Sequence, residues 1–220
     1  MAAPRSGRAE AGTRTDRRKA RTRQKLIQAA RRLLASDQHS SASIQDITEA
    51  ADVGFGSFYN HFSSKTELFR AAVSEVLEEL GQLLEELSSS VDDPARAFAQ
   101  SVRLTARLGV ARPETAQVLV RHGMAYIDAE EGLAPRALRD IEAGAASGRF
   151  RVREPRLALA TTAGALLAVL HVSLVDPVGV TDETCDEVAE QLLRMLGVPL
   201  AEAHEIATAP LPPVPAVDQV

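Results

Sequence analysis

The chain has 220 residues, 45% hydrophobic and 25% charged, a composition ordinary for a soluble globular protein of one or two small domains. A single cysteine, Cys185, excludes a disulfide framework within the chain and fits a reducing, cytoplasmic setting, and the arginine-rich start shows no apolar stretch of the kind a signal peptide needs. The formal charge of −5 hides an asymmetry, thirteen Lys/Arg against seven Asp/Glu up to Arg70 and twelve against twenty-three beyond it, which suggests nucleic acid at one end or simply a solvated charged tail.

Alanine, leucine and arginine dominate and β-branched runs are few, so the expected fold class is all-α. Residues 1–16 lack apolar periodicity and are expected to form a disordered basic arm. A helix follows from Arg17, with Leu26, Ile27, Ala30, Leu33 and Leu34 on one face and basic residues on the other. In SASIQDITEAADV, Ser43 is a candidate N-cap with Asp46 three residues on, and Ile44, Ile47 and Ala51 would face a core. Asp52 and Val53 make a tight turn, and a second short helix is expected from Gly54 to about Phe62. Ser64 then caps a long amphipathic helix, with Glu67 at the capping-box position.

Proline, glycine and aspartate divide the rest into further helices, at about 94–108, 113–126, one ending near 146, 157–175, 181–196 and a short one after Pro199. The expected division is therefore a basic helical domain at 17–70, a second helical domain at 71–209 and a proline-rich tail at 210–220. LALATTAGALLAVLHVSLV, Leu157–Val175, is uncharged over nineteen residues, the lower limit for a membrane span. It is alanine-rich and carries Thr161, Thr162, His171 and Ser173, so a buried or subunit-pairing helix explains it better and no membrane partner is expected.

GFGSFYNHFSSKTELF, residues 54–69, holds five of the eight aromatic residues. Two short helices joined by a tight turn on a basic N-terminal segment read as a helix-turn-helix, the second helix being the candidate for the major groove. Phe58 and Phe62, four apart, would pack inward, with Phe69 extending that core. Gly54 and Gly56 keep the start of the helix thin, so backbone N–H groups can approach phosphates or base edges. Phe55, Ser57, Asn60 and His61 are candidates for base edges; Tyr59 and Lys65 are candidates for phosphates. Each polar residue here also reads as an ordinary exposed side chain.

SIQDITEAADVGFGSFYNHFSSKTELF resembles the DNA-binding signature of the TetR family of transcriptional regulators. Ala51-Asp52-Val53, Gly56, Tyr59, His61-Phe62 and Ser64-Lys65-Thr66-Glu67-Leu68 carry the resemblance. Asp52 stands where glycine is common, and Gly54 and Phe55 where Ser/Thr and a polar or basic residue are frequent, so no relative's operator sequence carries over. The resemblance implies a homodimeric repressor that binds a palindromic double-stranded DNA operator and is released by a small-molecule effector. It also implies a C-terminal helical ligand-binding and dimerisation domain, with the 157–175 and 181–196 helices pairing across a two-fold axis. Ser43 joins the DNA-contacting set, and Arg17, Arg18 and Arg21, with their basic neighbours, would reach phosphates or the minor groove.

The effector itself is not readable. Phe98, Val102, His122, Tyr126 and His171 are the candidates for its pocket, although Phe98 and Val102 read as simply core and the histidines as internally satisfied or exposed. There is no phosphate-binding Gly-Lys loop, no His-Glu-x-x-His and no nucleophile elbow, so neither catalysis nor a metal or other cofactor is expected. The rival from another class is a helical small-molecule carrier or interaction module whose basic arm binds nucleic acid nonspecifically.

Overall fold

The computed structural model describes residues 7–36 and 41–212, so the start of the basic arm and residues 213–220 of the proline-rich tail lie outside the described residues. Every regular element among the described residues is helical, and the fold class is all-α. The chain divides into two compact units, Met1–Val73 and Ser74–Val220.

The first unit opens with α1 (Gly7–Ala35). It begins inside the stretch expected to be disordered, because Ala9, Glu10, Ala11 and the arginines are good helix formers that carry the helix back beyond its apolar face. That face does form a core: Leu26, Ile27, Ala30 and Leu34 are buried, while Leu33 is only half-buried. The next element, α2 (Ile44–Ala50), starts at the expected cap. The Ser43 hydroxyl accepts from the Asp46 N–H at 3.1 Å, and the Asp46 carboxylate accepts from the Ser43 N–H at 2.8 Å.

Asp52 then turns the chain with φ 51°, the left-handed conformation that glycine adopts freely and other residues resist. Its side chain is held by Lys25, whose Nζ lies 2.9 Å from Oδ2, and the Arg32 guanidinium donates to the Ala50 carbonyl at 3.3 Å. Helix α3 (Phe55–Phe58) is shorter than expected. Beyond Phe58 the chain tightens: the N–H groups of Asn60 and His61 reach back three residues, to the carbonyls of Ser57 (3.3 Å) and Phe58 (2.9 Å). Phe58 is fully buried and Phe62 nearly so, each stabilising the unit by roughly 1.5–3 kcal/mol through burial.

Helix α4 (Lys65–Ser88) is capped across two serines. The Ser64 hydroxyl accepts the Glu67 N–H at 3.2 Å, and the Glu67 carboxylate accepts the Ser63 N–H at 2.7 Å rather than that of Ser64. The boundary between the two units falls within α4.

The second unit contains α5 (Pro94–Ala106), α6 (Leu108–Ala111), α7 (Pro113–His122), α8 (Leu133–Ala146), α9 (Pro155–Val175), α10 (Asp182–Met195) and α11 (Leu200–Ala207). A 3-10 turn, Gly123–Tyr126, finishes α7 where the expected helix ran on to 126; glycine at that point weakens the α-helical continuation. The core joins Ala99 and Val102 of α5, Ile141 of α8, Leu159 of α9, Leu192, Leu193 and Leu196 at the end of α10, and Ile206 of α11, with Phe150 set edge-on to Phe98 at 5.9 Å.

Ion pairs lock α5 to α10. Arg103 is buried and donates to Asp186 at 2.7 Å and to the Ala209 carbonyl at 2.6 Å. Arg107 reaches Asp182 (2.7 Å) and Asp186 (3.1 Å). Burial works against the charge of Arg107, but its bonds to Asp182 and Asp186 more than offset this and raise its pKa.

By length and composition α9 could cross a membrane. It packs instead against α7 and α8 on one side, leaving Leu157, Val172 and Val175 exposed.

Candidate nucleic-acid interface and ligand cavity

The helix-turn-helix leaves two large aromatic residues in solvent. Phe55 is 53% and Tyr59 55% exposed, although buried positions lie within three residues of both. Their rings meet edge-on at 5.9 Å, and Tyr59 also rests on buried Phe58 at 5.3 Å. Buried Phe58 thus supports a small aromatic platform in fixed orientation, beside exposed Asn60.

Gly54 and Gly56 are not required by this fold. A Cβ at Gly54 would meet only the Ser57 hydroxyl, at 3.8 Å, and one at Gly56 would meet nothing within 4 Å. Their lack of side chains bears on what approaches from outside.

Ser57 and His61 are half-buried. Burial first, then the charges of Lys19 and Arg23, push the His61 imidazole below its ordinary pKa, so at neutral pH it is uncharged, with one donor and one acceptor nitrogen. Arg23 stacks over the Phe62 ring at 5.2 Å, so this member of the basic series has a packing role. Arg17, Arg18 and Arg21 lie exposed along α1. Lys65 is half-buried, and its Nζ donates to the Ala42 carbonyl at 2.8 Å, tying the start of α4 to the loop ahead of α2. The Ser43 hydroxyl is occupied in the cap of α2.

The second unit contains a partly open cavity of about 150 Å³. Its walls come from five helices and the 3-10 turn, with Leu77 and Leu84 of α4, Val102 of α5, Leu119 of α7, Tyr126 of the turn, Ala137 of α8 and Leu166 of α9 among them. Phe98, Val102 and Tyr126, proposed from sequence, line it together; His122 and His171 do not. His171 is exposed, because Leu170 faces the cavity and one step along a helix turns the next side chain away. The residues that sequence reasoning missed include Leu77 and Leu84 of α4 and Leu166 and Leu170 of α9, whose pattern is that of any core helix.

A charged group edges the cavity. The Arg136 guanidinium donates to Glu78 (2.7 and 2.8 Å), to Glu85 (3.0 Å) and to the carbonyl of Gly132 (2.9 Å), which opens α8 at φ 93°. Hydrogen bonds from Arg136 and Gln82 hold the Glu78 carboxyl down at about 2. Among the described residues no group of three or more His, Cys, Asp or Glu is placed to hold a metal ion.

The comparison with known proteins follows the same two parts. Residues 26–72 match the model for bacterial regulatory proteins of the tetR family, and residues 93–209 match the tetracyclin repressor-like C-terminal domain. The chain belongs to the TetR family. This is a family of transcriptional regulators rather than enzymes.

The chain is similar to RolR over nearly its whole length. The RolR structure without ligand is 35% identical, with a TM-score of 0.69 and coverage of 86% of this chain and 98% of RolR. The structure of RolR with resorcinol is 33% identical, with a TM-score of 0.64 and coverage of 90% and 99%. Two curated TetR-family relatives are HTH-type transcriptional repressors. AcnR of Corynebacterium glutamicum is 32% identical over 90 residues, and DhaR of Mycobacterium sp. strain GP1 is 40% identical over 72 residues. Those matches cover 38% and 32% of this chain, and span 47% of AcnR and 34% of DhaR.

Proposed function

We propose that this protein is a homodimeric, cytoplasmic transcriptional repressor that binds a palindromic operator and leaves it when a small molecule enters the cavity of its second unit. Residues 17–70 form the DNA-binding domain and 71–209 the effector and dimerisation domain. The observation that carries the reading is the exposed Phe55–Tyr59 platform, held on buried Phe58 beside two glycines that the fold does not need. Large apolar rings left in solvent at a fixed angle mark a surface that something covers.

On DNA, Phe55, Ser57, Asn60 and His61 read base edges, an aromatic edge meeting a thymine methyl and an amide pairing with adenine. Tyr59, Lys65, the cap at Ser43 and the arginines of α1 position the backbone, each phosphate contact steepening the salt dependence by roughly 0.9 in the log-log slope. Two such heads about 34–36 Å apart read an inverted repeat.

Dimerisation through α9 and α10 is supported by the uncovered face of α9, where Leu157, Val172 and Val175 are 64%, 51% and 74% exposed and Gly164 borders open space. The effector acts by binding the DNA-incompetent state more tightly than the competent one. The resorcinol held by RolR points to a small hydroxylated aromatic as the class to try first.

The test is selection of bound duplexes from a random DNA pool at about 150 mM salt, followed by sequencing. An enriched inverted repeat is the expected result. Retention without enrichment would remove the reading and favour a carrier with a nonspecific basic surface.

A further inference from the structure

The charged groups of the first unit are partnered unequally. Lys25 pairs with Asp52 at 2.9 Å, and Glu67 is held by the Ser63 N–H while acting on Arg23 and Arg70. Lys19 and Arg23 lie exposed one turn apart on α1, and half-buried His61 closes the helix-turn-helix within reach of both charges. The Arg23 guanidinium sits 5.2 Å from the ring centre of Phe62, the neighbour of His61. Among the described residues, none of these three groups forms an ion pair. The charges that act on His61 are those of Lys19 and Arg23, with no carboxylate among them. Two elements thus bring three basic groups together without a counter-charge, beside the exposed Asn60. Burial and the two cations keep the imidazole neutral in the free protein, and the negative potential of a duplex would reverse that balance.

We propose that Lys19, Arg23 and His61 form one anion-accepting cluster, and that operator binding takes up a proton there, on the His61 imidazole. This rests on the first unit being a DNA-binding domain. The proton comes from solvent and occupies the ring nitrogen that was an acceptor. Both nitrogens then donate, which suits acceptor atoms such as guanine N7 and O6 or a phosphate oxygen. The bound imidazole holds its proton to a higher pH than the free one. The gain in affinity is therefore absent at high pH, grows as pH falls through the bound value and is complete below the free value.

The test is fluorescence-anisotropy titration of the full chain with the duplex recovered from the random pool, at about pH 7.5 and about pH 6, with circular dichroism to check the fold. Wild-type affinity should rise about tenfold on going to the lower pH, the effect of one unit of difference between bound and free imidazole. His61→Gln, which stays neutral, should bind equally at both pH values. Lys19→Met should remove one phosphate contact, lowering the log-log salt slope by roughly 0.9 per head, and should move the rise in affinity to higher pH. Equal wild-type affinity at the two pH values, or a rise that survives His61→Gln, overturns the proton uptake. An unchanged salt slope and an unmoved rise in folded Lys19→Met overturn the cluster. Failure of folded wild type to bind any duplex at either pH removes the DNA-binding reading itself, and the cluster with it.

Discussion

Phe55 and Tyr59 of the N-terminal unit stand more than half exposed, whereas Phe98 and Tyr126 of the C-terminal unit line a partly open cavity and Phe150 is buried. Both arrangements forgo stabilisation that a filled core would supply. The first unit leaves apolar rings in water, and the second leaves space among leucines where dispersion contacts are missing. The comparison teaches that a chain with few aromatic residues concentrates its unspent binding capacity in two places of opposite shape. One is an exposed pair of rings, suited to a groove edged by phosphates. The other is a cavity with mostly apolar walls, suited to a small apolar molecule.

The largest effects should separate the two units. Phe58→Ala removes the support of the aromatic platform and should cost about 3–5 kcal/mol, abolishing DNA binding while binding of a hydroxylated aromatic such as phenol in the cavity persists. Asp186→Ala leaves Arg103 buried without its carboxylate and should cost about 3–5 kcal/mol, lowering the melting temperature and weakening the cavity while DNA contacts of the first unit remain. Denaturation read alongside calorimetry checks both; loss of phenol binding in Phe58→Ala would break the comparison.

Within the DNA surface, Asn60→Ala should relax preference at one base pair by about 1–3 kcal/mol in binding to a panel of operator variants. Tyr59→Ala and Lys65→Ala should instead weaken all sequences alike, so equal losses on specific and scrambled duplexes for Asn60→Ala would remove its assigned role. Lys65→Ala should additionally lower stability by about 1 kcal/mol, because the Ala42 carbonyl loses its donor. Ser43→Ala should cost about 1 kcal/mol of stability through the lost cap, measured by urea unfolding.

The smallest effect is on acid stability. Folded Glu78 titrates at about 2 against an ordinary 4.5, so its contribution is full above the ordinary value and lost as pH falls through the folded one. The Glu78 side chain is 37% exposed, so solvent screens the pair and the effect is modest. Unfolding midpoints measured down through this range should fall less steeply in Glu78→Gln than in wild type.

Read from sequence alone, the cap at Ser43, the turn at Asp52, the inward pair Phe58 and Phe62 and the family itself were legible. The cap and the inward pair depend on residues three or four apart, where helix geometry places side chains and backbone donors together whatever the rest of the chain does, and the turn and the family signature lie within one short continuous stretch. The length of α3 and the start of α1 were less so, since helix ends depend on small differences in propensity and packing. Only the tertiary structure decided the cavity and its edge. Arg136 reaches Glu78 from 58 residues away, and Arg103 reaches Asp186 across 83. No local rule predicts such partners, because they are set by which faces of distant helices meet. Thr161 and Thr162 are adjacent, identical residues on one helix, and only their placement in the folded chain gives one hydroxyl a partner and leaves the other without.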